Sequence, residues 1–148
     1  SLDSVSSFRR LLDWSNLQSD DGLYLQNGDV RFYGANRSAD SNFTAGQMIH
    51  LALSRGEDQQ VRVYAQGREL FSFADVNGQA FNPANGNAIG FFRDDNGETS
   101  AGVVDFIRGY DRVLTAAEIA SLYANGTPLR GLPGTTSAVP EPSTWAMM

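Results

Sequence analysis

The chain of 148 residues predicts an all-β fold, an antiparallel β-sandwich with one short C-terminal helix and a flexible tail. Three observations carry that prediction. Apolar and polar residues alternate through "MIHLALSRG" and "QVRVYAQG", the period of strands with one buried and one solvated face. Turn signals, above all Asn27-Gly28 and Gln66-Gly67, separate short runs rich in aromatic and β-branched residues. Only "LTAAEIASLYANG" breaks this rhythm, with helical spacing and cap residues at both ends. Many short strands followed by a single helix describe two packed sheets.

Taken in order, "RLLDWSNL" (Arg10 to Leu17) is the first predicted strand, and "SDDG" turns the chain. In "LYLQNGDVRFYG" the Asn-Gly pair sits between two strand-like runs, the strongest short hairpin signal. Gly34 to Gly46 is small and polar, which predicts a loop. The next strand places Ile49, Leu51 and Leu53 on one face and His50, Ala52 and Ser54 on the other. Its neighbour sets Val61, Val63 and Ala65 against Arg62, Tyr64 and Gln66, and "RELFSFAD" completes the meander. After an Asn, Gly and Pro-rich loop (Asn77 to Asn87), "AIGFFRDD" and "AGVVDFIRGYDR" both predict strands. Thr115 with Glu118 forms a capping box, Leu114 and Ile119 a hydrophobic staple, and Gly126 a C-terminal stop. Ile119, Leu122 and Tyr123 share one face of this helix. From Thr127 Pro, Gly, Thr and Ser dominate, so the domains read as a body over 1–126, a flexible linker over 127–138 and a distinct ending over 139–148.

Composition narrows the function classes. Hydrophobic residues at 41% and aromatics at 11% suffice for a packed core in a chain of single-domain length. A net charge of −6 disfavours nucleic acid and anionic membrane surfaces, both of which attract Lys and Arg. The absence of cysteine removes disulfides, thiolate zinc sites and thiol catalysis. The chain opens on Ser1 without a signal peptide, so it is expected to be part of a longer precursor.

Retaining glycosidases need two carboxylates about 5–5.5 Å apart. On a strand that means acidic residues at alternate positions, yet Asp105 has Val103 and Ile107 as its alternate neighbours. The chain is therefore expected not to be an enzyme, and Asp105 is a structural hydrogen-bonding residue or a metal contact. His50 is the single histidine and lacks partners for zinc or a triad, which makes it a surface residue. Calcium suits the acidic loops better, because it takes oxygen ligands from carboxylates, amides and carbonyls. The candidates are Asp20 and Asp21 in "SDDG" and Asp94 and Asp95 in "RDDNGE", with Asp105 a further possible ligand. Neither loop has EF-hand spacing, and acidic Asn-Gly loops are also good turns. Sugar binding would use aromatic platforms; Trp14, Tyr24, Tyr33, Tyr64, Phe91 and Phe92 are the candidates, and none is assigned that role.

Four stretches carry two resemblances. "AGVVDFIRGYDRVLTAAEIASLY", through Gly102, Asp105, Tyr110, Arg112, Leu114, Thr115 and Glu118, resembles the closing signature of LamG-like, concanavalin A-like jelly-roll domains. "HLALSRGEDQQVRVYAQG" resembles their central hairpin, and "FRRLLDWSNLQSDDGLYLQNGDVRFYG" is similar to the middle of exported bacterial members. The resemblance spans most of Phe8 to Asn125 and implies a jelly-roll sandwich; the opening strands of such domains have no counterpart before Phe8. "VPEPSTWAMM" resembles the start of a PEP-CTERM sorting signal, with Val139, Pro140, Glu141 and Pro142 as its motif and Trp145 to Met148 as the first turn of a hydrophobic helix. That implies export to the envelope or extracellular matrix of a Gram-negative bacterium and recognition by an exosortase-type enzyme. Membrane contact is then expected only through that C-terminal helix. Together the two resemblances imply a noncatalytic carbohydrate-binding or adhesion module whose partner is a polysaccharide or glycan. A structural matrix component without glycan affinity is the alternative, and a degenerate glycan hydrolase a third.

Overall fold

The computed structural model describes residues 1–80, 89–94 and 97–126. Asp95 and the sorting-motif residues Val139 to Pro142 lie outside the described residues, as does the linker. Among the described residues eight strands are present: β1 (Phe8–Asp13), β2 (Gly22–Gln26), β3 (Asp29–Phe32), β4 (Arg37–Ala39), β5 (Leu51–Arg55), β6 (Gln60–Ala65), β7 (Arg68–Ala74) and β8 (Gly90–Phe91). One helix, α1 (Ala116–Asn125), follows. The strands form two antiparallel sheets, ordered β4-β3-β2-β1-β8 and β5-β6-β7.

Local chemistry sets the two tight hairpins. Asn27 (φ 53°) and Gly28 (φ 92°) both adopt the left-handed conformation, the geometry whose twist matches flanking strands. The resulting register pairs Gln26 with Asp29, Leu25 with Val30 and Tyr24 with Arg31. Gln66 (φ 50°) and Gly67 (φ 76°) make the same kind of turn between β6 and β7.

The core lies between the sheets. Leu23, Leu25, Val30 and Phe32 from the larger sheet meet Val61, Val63 and Phe73 from the smaller. Phe32 bridges the layers, its ring centroid 4.7 Å from that of Phe73, and Trp14 stacks on it at 5.8 Å. Each fully buried aliphatic or aromatic side chain contributes about 1.5–3 kcal/mol relative to exposure.

The capping box of α1 forms as expected: Thr115 Oγ1 accepts from the Glu118 backbone N–H, and Glu118 Oε2 accepts from the Thr115 N–H. Gly126 closes the helix in the left-handed conformation. Leu114, Ile119 and Leu122 are buried together with Tyr64. Tyr123 stays exposed at the rim of that face.

Five expectations need correction. The outer face of the meander is wet only in part: Glu69, Ser72 and Ala74 are exposed there, whereas α1 buries Tyr64 against Leu114, Ile119 and Leu122. β5 starts at Leu51, so His50 precedes the strand; half-buried, it faces the rings of Tyr123 (5.9 Å) and Phe106 (6.4 Å). The polar stretch after Gly34 contains β4, held by backbone pairing that needs no apolar side chains. "AGVVDFIRGYDR" forms no strand: an isolated bridge joins Leu2 to Gly102, and the Val103 N–H donates to Ser1 O. Beyond Val103 no described strand runs alongside, and Val103, Val104, Phe106 and Ile107 are all exposed. Side-chain alternation marks a segment capable of strand, but a ladder also needs a neighbour. "AIGFFRDD" likewise shrinks to β8, because Phe92 turns left-handed at φ 59°.

Candidate functional site: an aromatic and guanidinium face

The hairpin register decides what the larger sheet shows to its outer side. With Leu23, Leu25, Val30 and Phe32 turned inward, alternation turns Tyr24, Gln26 and Arg31 outward. β1 adds Phe8 opposite Gln26 and Arg10 opposite Tyr24. Phe8, Tyr24 and Tyr33 pack edge to face with centroids 5.7–6.2 Å apart. Tyr24 is 1% exposed and forms the floor, whereas Tyr33 is 44% exposed and presents its ring to solvent.

Arg31 lies across this cluster, its guanidinium carbon 5.7 Å from the Tyr33 ring and 6.0 Å from Phe8. It donates to Gln26 Oε1 at 2.9 Å and to Asn36 Oδ1 at 2.8 Å, both neutral acceptors. Its Nε is buried without a partner. Among the described residues the ion pairs involve Arg10, Arg55, Arg62 and Arg112, so the charge of Arg31 has no carboxylate in contact.

One end of the face is closed by the two acidic loops. Arg10 is fully buried and donates to Asp94 Oδ2 at 2.9 Å, to Ser19 O at 2.8 Å and to Asp21 O at 3.0 Å. Its guanidinium also lies 3.4 Å from Asp13, whose carboxylate accepts from Ser15 and from the Leu17 N–H. The Tyr24 hydroxyl stands 3.5 Å from Asp94, and burial raises its pKa well above the usual phenol value. Burial raises the Glu98 carboxyl too, helped by the nearby charges of Asp94 and Asp20.

The sequence candidates are thus divided. Asp20, Asp21 and Asp94 gather around Arg10; Asp20 is exposed, Asp21 accepts from Gln79 Nε2 at 3.3 Å, and Asp94 is buried. Asp105 stands apart, exposed along an open apolar cleft between β5 and residues 103–110. Among the described residues no group of three or more His, Asp or Glu is arranged to hold a metal ion. Of the aromatic candidates, Trp14 and Phe92 pack with the main core and Tyr64 lies under α1, while Phe91 is exposed on the short edge strand. His50 has a buried Nδ1 without a partner, and burial lowers its pKa.

Of the aromatic candidates, Tyr24 and Tyr33 meet on this face, while Phe91 and Phe92 meet beside the short edge strand with centroids 6.4 Å apart. Phe8, Gln26, Arg31 and Asn36 complete the face of Tyr24 and Tyr33 and were not singled out by sequence. The Tyr24–Arg31 pairing was nevertheless encoded, since a two-residue Asn-Gly turn dictates it.

No curated protein sequence matches the chain. One similar solved structure is the crystal structure of an S-layer domain-containing protein (residues 221–444) from Clostridium thermocellum, with 18% identity and a TM-score of 0.39. The alignment covers 83% of this chain and 65% of that one, so this chain spans less than two thirds of its length. The family model of the concanavalin A-like lectin/glucanases superfamily, Laminin_G_3, matches residues 4–120. Two antiparallel sheets around one core agree with that match over most of the chain, which belongs to the concanavalin A-like lectin/glucanases superfamily.

Proposed function

We propose that the chain is a noncatalytic carbohydrate-binding or adhesion module of an exported bacterial envelope or exopolysaccharide-associated protein. The observation that carries this reading is the outer face built by Phe8, Tyr33 and Arg31. A sugar offers an apolar ring face and a rim of hydroxyls, and here an exposed Tyr33 ring lies beside a guanidinium and the Asn36 amide. Family membership supports the reading without deciding it, because folds of this kind host both binding and catalysis. The resemblance of Val139 to Pro142 to a sorting motif supports export and an exosortase-type partner.

A glycan array with the purified chain tests the proposal. Saturable binding that is lost in Tyr33→Ala, with an unchanged circular dichroism spectrum, is the expected result. Silence across hexose, uronic-acid and amino-sugar polymers would reject it. A structural, protein-contacting matrix component is the second reading, favoured by the exposed apolar side chains of Val103, Val104, Phe106 and Ile107. Incubation with β-glucans is expected to release no new reducing ends.

A further inference from the structure

We infer that the ligand of the Tyr33 face is a polysaccharide bearing carboxylates, a polyuronate, with its ring on Tyr33 and its carboxylate on Arg31. This rests on the carbohydrate-binding reading above and adds the charge class of the sugar. Arg31 carries five N–H donors, and the amide oxygens of Gln26 and Asn36 take up one each of its terminal donors. Both acceptors are neutral. They fix the plane of the guanidinium against the Phe8 and Tyr33 rings, and no carboxylate among the described residues is in contact with its charge.

Of the carboxylates nearest in sequence and strand register, the exposed Asp40 just beyond β4 makes no ion pair with Arg31, and Asp29 and Asp21 are committed elsewhere. Asp29 accepts from the backbone N–H groups of Ser41 (2.7 Å) and Asn42 (3.1 Å), and Asp21 from Ser19 Oγ (3.1 Å) and Gln79 Nε2. On β4, the residue opposite Arg31 is the exposed Ser38, a hydroxyl donor and not an acid. A planar, oriented guanidinium favours carboxylate over hydroxyl, because charge-assisted hydrogen bonds are about twice as strong as neutral ones. The chain as a whole is acidic, at −6, so long-range attraction does not draw in a polyanion. At physiological ionic strength charges farther than about 8 Å are screened, and the contact at Arg31 decides.

Matched probes test the inference: oligogalacturonate and oligomannuronate, each against its fully methyl-esterified form, titrated by calorimetry into the purified chain. The ester keeps the ring and removes the charge. The acid form of at least one pair is expected to bind about tenfold more tightly than its ester. Arg31→Gln should bring the acid down to the affinity of the ester, and Tyr33→Ala should weaken both. Melting curves establish that the variants are folded, and the comparison of acid with ester in the wild type needs no variant at all. Equal binding of acid and ester in both pairs, or a preference that survives Arg31→Gln, overturns the polyuronate assignment while carbohydrate binding stands. If neither pair binds but the array shows neutral glycans bound, the assignment falls alone; if no glycan binds anywhere, both readings fall.

Discussion

Arg10→Met is the most informative perturbation of this fold. The Arg10 side chain has no exposure, nor does the Asp94 side chain that it meets at 2.9 Å. Methionine keeps much of the aliphatic stem and removes the cation. The variant loses donors to Ser19 O and Asp21 O and places an apolar tip beside a buried carboxylate. Asp13 suffers less, because Ser15 and the Leu17 N–H continue to donate to it. Removing one member of a buried pair costs about 3–5 kcal/mol, against a total stability of about 5–15 kcal/mol. For a chain of this size that corresponds to a fall in Tm of about 10–15 °C. Urea denaturation followed by tryptophan fluorescence reads the loss directly, with Trp14 reporting from the core. Arg10→Met with Asp94→Leu should recover about 2 kcal/mol of it, since an apolar replacement of both partners removes the desolvated charge. A loss below about 1 kcal/mol for the single variant, or strict additivity in the double one, would refute the argument that this ion pair holds the two loops to β1.

Three further outcomes are open to test. Gly67→Ala should cost about 1–3 kcal/mol, because its φ is +76° and a Cβ there would stand 3.1 Å from Ala120 and Tyr123; Gly46→Ala, with the same φ and open space, isolates the backbone share in a thermal melt. Hydrogen bonds from Arg112, and then from the Thr115 backbone N–H, push the Glu118 carboxyl down to about 2 from an ordinary 4.5. A folded pKa below the unfolded one gives stability that is full above pH 4.5 and lost as pH falls toward 2, so Tm should decline more steeply with acid in the wild type than in Glu118→Gln. For a calcium site at Asp94 and Asp95, expected from the sequence, calcium at ten times its Kd should raise stability by about 1.4 kcal/mol. No heat in calorimetry and no rise in Tm with millimolar CaCl2 would dismiss that site.

Much of the fold was legible because its signals are local. Asn27-Gly28 and Gln66-Gly67 announce hairpins through the backbone conformations their residues accept. Thr115 and Glu118 announce a helix start through two reciprocal hydrogen bonds within one turn. The site was legible only in part. Tyr24 and Arg31 share a face by arithmetic from the turn, whereas Phe8 joins them only once β1 has docked on β2.

The sequence by itself determined the strand periods, the tight turns and the capped helix, each a property of a few adjacent residues. Tertiary structure alone decided that Tyr64 is covered by α1, that residues 103–110 run without a described strand beside them, and that the two acidic loops close on Arg10. The physical reason is the separation of the partners. Arg10 and Asp94 lie 84 positions apart, and no short-range preference of either residue encodes a contact that exists only after the sheets have assembled.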